Sequence, residues 1–68
     1  MTKDEAHREA LGRWRKLPIM ERQTYLQAQT YGRILAESLD FHTMGDPLRV
    51  ITSWLVDDIA KTEAAGKR

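Results

Sequence analysis

Ala28, Gly32 and Ala36 stand four residues apart in the middle of the chain. On an α-helix such positions stack into one ridge, and small side chains along it let a second helix or a large ring approach closely. Tyr31, Leu35 and Leu39 continue the same face. The period runs from Pro18 to Leu39, so a helix over 18–39 is expected, and the rest of the chain is organised around it. Its broad apolar face comprises Met20, Thr24, Tyr25, Ala28, Tyr31, Gly32, Leu35, Ala36 and Leu39. Arg22, Gln29, Arg33, Glu37 and Asp40 lie opposite. Ile19 and Leu26 fall on the polar side, and Leu26 stands there among Arg22, Gln29 and Arg33.

A helix with such a face needs partners, and the punctuation on either side supplies them. Thr2-Lys3-Asp4-Glu5 is a capping box, in which the threonine hydroxyl and the glutamate carboxylate each satisfy the other's free amide. It opens a helix over 3–16 with Ala6, Ala10, Trp14 and Leu17 on one face and His7 and Leu11 at its margin. Asp4→Arg8 and Glu9→Arg13 are supporting pairs in the favourable order. Gly12 falls on the outer face and costs about 1 kcal/mol of helix propensity. Pro18 ends this helix and suits the first position of the next.

On the other side, 40–46 breaks the helical period. Phe41 is expected to fold back onto the core, and Gly45 lets the chain turn. Asp46-Pro47 is a start signal, with aspartate as cap and proline in the first helical position. The third helix is expected over 47–63, with Leu48, Ile51, Thr52, Leu55 and Ile59 inward and Val50, Trp54 and Val56 flanking them. That is more apolar circumference than a core of this size requires. Either Trp54 wraps over the small-residue groove or part of this surface meets another chain.

The expected fold is all-α, a three-helix bundle in one domain over 1–63 with a short tail over 64–68. The expected core is Trp14, Leu17, Tyr25, Ala28, Leu35, Leu39, Leu48, Ile51, Leu55 and Ile59. At 68 residues and without cysteine, helix packing alone must stabilise it. The N-terminal MTKDEAHREALGR lacks the apolar run of a secretory signal, and no stretch approaches the roughly 20 apolar residues that span a bilayer. A cytoplasmic protein is expected.

Charge is nearly balanced at +1 but unevenly spread. Residues 1–33 hold seven Lys/Arg against four acids, residues 34–60 one against five, and 61–68 three against one. Such a split marks either a charged binding face or ordinary helix solvation.

Chemistry is sparse. His7 has no second ligand at metal spacing on its face. His42 sits in the loop near Asp40 and Asp46, where a metal ligand or general base is one reading and a solvated loop histidine the simpler one. Asp57 and Asp58 point in two directions on a helix and so do not form a carboxylate pair. No nucleophile motif or phosphate loop is present. No enzyme, cofactor, metal or small-molecule substrate is therefore expected.

The surplus apolar surface points instead to a non-enzymatic interaction module that regulates, inhibits or assembles with a larger protein partner. The candidate contact residues are Arg22, Leu26, Gln29, Arg33, Val50 and Trp54, and a second copy of the chain across the Trp54 face is an alternative occupant. A competing reading is a small helix-turn-helix-like DNA-binding regulator using Arg8, Arg13, Arg15, Lys16 and Arg22. Against it, the helix that would enter the groove carries Arg49 as its only base before Lys61, together with Asp57 and Asp58.

Overall fold

A computed structural model describes residues 1–41, 43 and 45–66, with side chains through residue 64. His42 and Met44 lie outside the described residues, so the reading of His42 is not addressed by it. The protein is an all-α three-helix bundle: α1 (Lys3–Trp14), a single 3₁₀ turn (Ile19–Glu21), α2 (Tyr25–Ser38) and α3 (Pro47–Gly66). Among the described residues there is no strand, and no helix is long and apolar enough to cross a membrane. α3 packs on both other helices, most extensively on α2. The hub is therefore α3 and not the central segment.

α1 starts as its sequence dictates. The Glu5 amide donates to Thr2 Oγ1 at 3.2 Å, and the Thr2 amide donates to Glu5 Oε1 at 3.1 Å. The hydrogen bonds from the Thr2 backbone and hydroxyl hold the exposed Glu5 carboxyl below its ordinary value of 4.5. A depressed carboxyl pKa stabilises the fold above the unfolded value, and that contribution is lost as pH falls through the folded value. Helicity of α1 is thus expected to drop on acidification below about 4.5. Far-UV circular dichroism should show this acid-dependent part flattened in Thr2→Ala.

α1 ends at Trp14, two residues before the expected end. Tightened turns follow, with the Lys16 amide on the Arg13 carbonyl (3.2 Å) and the Leu17 amide on that of Trp14 (3.1 Å). Glu9 and Arg13 pair at 3.0 Å, whereas Asp4 and Arg8 form no ion pair among the described residues. Gly12 is exposed, and an added Cβ there would meet nothing within 4 Å. Gly12→Ala is therefore expected to raise stability by about 0.5–1 kcal/mol, read as a higher urea midpoint at unchanged slope.

The expected helix over 18–39 is interrupted. Pro18 has an extended ψ of 147°, and the regular helix begins only after Thr24, which is itself extended at φ −120° and ψ 158°. A second capping box causes the break. The Gln27 amide donates to Thr24 Oγ1 at 3.1 Å, and Gln27 Oε1 accepts from the Thr24 amide at 3.1 Å and the Gln23 amide at 2.9 Å. Gln27 Nε2 also donates to the Met20 carbonyl at 2.9 Å, which ties the 3₁₀ turn to the helix start. Met20 and Tyr25 consequently leave the inner face and stand 76% and 62% exposed. Tyr25 is thus not part of the core.

Of the small-residue ridge, Ala28 and Gly32 are buried and Ala36 is partly buried; Leu35 beside them is buried, and Gly32 faces Thr52 of α3. Phe41 does fold back and is buried against Trp54, with ring centroids 5.7 Å apart. Asp46 caps α3, with the Leu48 amide donating to its Oδ1 at 3.1 Å, and Pro47 takes the first helical position. α3 continues to Gly66, past the expected end at residue 63.

Trp14, Leu35, Ile51 and Leu55 are the largest fully buried side chains, joined by Ala6, Ala10, Ala28, Leu39 and Phe41. Burial of each large aliphatic contributes roughly 1.5–3 kcal/mol. Leu17 and Ile59 are only partly buried against this cluster, and Leu48 is partly buried outside it. Ala6 and Ala10 were legible as a face but not as core. Their small side chains bring α1 close to α3, which is why both are fully covered.

Asp57 and Asp58 do diverge. Asp57 pairs with Lys61 at the surface (3.1 Å). Asp58 turns inward, with a side chain only 7% exposed, and its Oδ1 accepts from Arg15 Nη2 at 2.9 Å and Nε at 3.2 Å. This pair fastens the end of α1 to α3. Removing Arg15 would leave a nearly buried carboxylate without its counter-charge.

Candidate docking surface on α2

The outer side of α2 carries exposed apolar side chains. Leu26 is 70% exposed and Ile34 53%, with exposed Thr30 one turn from each. Two features of the fold place them there. The capping box sets the phase of α2, and the Gly32–Thr52 contact turns the opposite side of the helix into α3. Leu26 and Ile34 border a shallow groove of about 320 Å³ whose floor includes Leu17 and Tyr31 and whose edge carries Glu21. Met20 is exposed just before α2, whereas Tyr25 borders a groove shared with Thr52 and Val56 of α3, and Ile19 (51% exposed) borders a hollow shared with Ile59. Arg33 and Glu37, both exposed, lie on the same side of the helix as Leu26.

The six residues singled out for partner contact do not form one patch. Leu26 and Arg33 share the outer face. Arg22 is partly buried, and its Nε donates to the Leu17 carbonyl at 2.9 Å, bracing the turn between α1 and α2. Gln29 lines a separate groove between α2 and α3, shared with Arg49 and Val56. Val50 packs against the core. Trp54 is held between His7 (centroids 4.7 Å apart) and Phe41 (5.7 Å). The apolar surplus of α3 is thus largely consumed inside the fold, by α1 and the loop after α2. It does not cover the small-residue groove, which Thr52 occupies.

Ile34 was missed as a contact residue. Its signal was present, two helical turns from Leu26 on one line, but masked by its place among the apolar residues around Leu35.

The basic residues proposed for nucleic acid are mostly engaged. Arg13 is held by Glu9 at 3.0 Å, Arg15 by Asp58 at 2.9 Å, and Arg22 by the Leu17 carbonyl at 2.9 Å. Arg8 and Lys16 are exposed. Arg8 and Arg15 border one shallow hollow, but Asp4 borders it too. Among the described residues no three His, Cys, Asp or Glu side chains converge as metal ligands. No family model, curated protein or solved structure matches this chain.

Proposed function

We propose that this chain is a small non-enzymatic interaction module that docks onto a larger protein partner and regulates it, and that the outer face of α2 is its docking surface. The observation that carries this reading is the pair Leu26 and Ile34, exposed at 70% and 53% along one groove of α2, with Met20 exposed at 76% just before the helix. Single exposed apolar side chains are ordinary, whereas contiguous ones mark contact surfaces. The lack of cysteine fits a reducing compartment such as the cytoplasm. The ion pairs that occupy Arg13 and Arg15 favour this reading over nucleic-acid binding, which needs free clustered positive charge.

An affinity capture from the native host tests it. A partner held by the wild-type chain should be lost with Leu26→Asp, which places a charge in the centre of the apolar face. A central contact residue is worth about 2 kcal/mol or more, roughly a 30-fold weaker complex. Circular dichroism should show the variant still helical, since Leu26 contributes nothing to the buried core. Full retention of the partner by Leu26→Asp and by Ile34→Asp would end this reading.

A further inference from the structure

We propose that the groove between α2 and α3 is a second recognition site, which takes an Asp or Glu side chain of a protein partner, flanked by an apolar residue, with Arg49 as its counter-ion. Tyr25 and Gln29 stand four apart on one line of α2, and Arg49, Ser53 and Val56 lie on one line of α3. The two lines border a single hollow of about 390 Å³, together with Leu48. No acidic side chain lines it. Among the described residues the side chains of Tyr25, Gln29, Arg49 and Ser53 make no hydrogen bond, and Arg49 makes no ion pair. A phenol, an amide, a hydroxyl and a guanidinium are thus left with free donors around one hollow. Leu48 and Val56, both partly buried, supply its apolar flank.

The position of Arg49 points the same way. It is the only Lys or Arg in residues 34–60, against five acids. It is the third residue of α3, near the positive end of the helix dipole, where a cation lowers stability. Asp46, one turn away, is occupied as the helix cap, with its Oδ1 on the Leu48 amide at 3.1 Å. Nothing inside the fold therefore offsets the unfavourable placement, and binding residues are commonly kept at such a loss. One guanidinium fork matches one carboxylate in paired hydrogen bonds, whereas a phosphate brings nearly twice the charge to a single cation. The hollow is open on its outer side and encloses no small molecule, so the carboxylate arrives on a chain that lies along the groove. This site shares no lining residue with the Leu26–Ile34 groove and does not rest on the docking reading.

The probe is the peptide acetyl-Leu-Glu-Leu-amide, titrated into the isotope-labelled full chain and followed by NMR. Acetyl-Leu-Gln-Leu-amide and sodium acetate are the comparisons. The glutamate peptide should shift the backbone amides of Tyr25, Gln29, Arg49 and Ser53 in a saturable way. The glutamine peptide should bind roughly five-fold more weakly, the size of a well-formed but solvent-exposed ion pair. Acetate, which lacks the apolar flanks, should bind more weakly than the glutamate peptide. Arg49→Gln should bring the glutamate peptide down to the level of the glutamine peptide. Its urea midpoint should be unchanged or higher, since a cation leaves the helix start, whereas a merely structural Arg49 would lower it. Leu26→Asp should leave this binding intact, because Leu26 borders the other groove, so failure of the docking face and failure of this site are read separately. Absence of shifts at these four residues, or equal binding of the two peptides, overturns the proposal. Acetate binding as tightly as the glutamate peptide would make the site a receptor for bare anions and overturn the peptide as its occupant.

Discussion

Trp14→Ala is expected to leave most of the chain unfolded in water at room temperature. Trp14 is fully buried, and its ring lies 5.7 Å from that of Tyr31, so it links α1 to α2 beneath the hub helix. Truncating a buried tryptophan costs about 3–5 kcal/mol, because the transfer energy is lost and the cavity collapses only in part. A folded chain of this size has roughly 3–10 kcal/mol in total. The loss therefore takes most of the available stability. Far-UV circular dichroism should show strongly reduced helicity before any denaturant is added. Trp14→Phe should behave differently. Trp14 Nε1 has no hydrogen-bond partner among the described residues, and an orphaned buried donor costs about 1–3 kcal/mol. Phenylalanine removes that donor while leaving a smaller void, so a net loss below about 2 kcal/mol is expected. A Trp14→Ala protein that keeps a wild-type urea midpoint would show that α1 adds little to the bundle.

Gly32→Leu should have the second largest effect, through overpacking. A Cβ at Gly32 would lie 2.8 Å from Thr52 Oγ1 and 3.6 Å from the Thr52 Cα. Thr52 is 6% exposed and β-branched, so its side chain has little freedom to turn away. A leucine there must push α2 off α3, loosening the contact that covers Ala28, Leu35, Ile51 and Leu55. Overpacking usually costs about 1–3 kcal/mol, and contact with a fixed helix backbone places this case at the top of that range. Better helix propensity returns about 1 kcal/mol, leaving a net loss of about 2 kcal/mol in chemical denaturation. Adding Thr52→Ala, which removes the obstructing hydroxyl, should recover part of it, a coupling that a double-mutant cycle isolates. No change in stability for Gly32→Leu would mean that the helices are not held at this distance. Gly12→Ala gains the same propensity with no neighbour to displace, and so carries the opposite sign.

Most helix boundaries were legible because their causes are local. The Thr2–Glu5 box and the Asp46-Pro47 start each involve residues within one turn, and both appear as expected. The Thr24–Gln27 box was just as local and fits the same template. It was overridden by an apolar period that continued unbroken across it, and that error carried Met20 and Tyr25 to the wrong face. Leu26 was legible as the odd residue on the polar side of α2. Ile34 was not, because its exposure depends on the phase at which α2 meets α3.

The sequence by itself determined that three helices form, where the first and third begin, and that a small-residue ridge would receive a close neighbour. These follow from hydrogen-bond satisfaction at helix ends and from side-chain size along one helix. Only the tertiary structure decided that α3 is the hub, that Thr52 and not a tryptophan fills the ridge, and that Trp54 is spent between His7 and Phe41. It also joined Arg15 to Asp58, far apart in sequence, and left the outer face of α2 open. Each of these depends on the angle and rotation at which helices meet. The periodicity of one helix says which side is apolar, but not which neighbour will cover it.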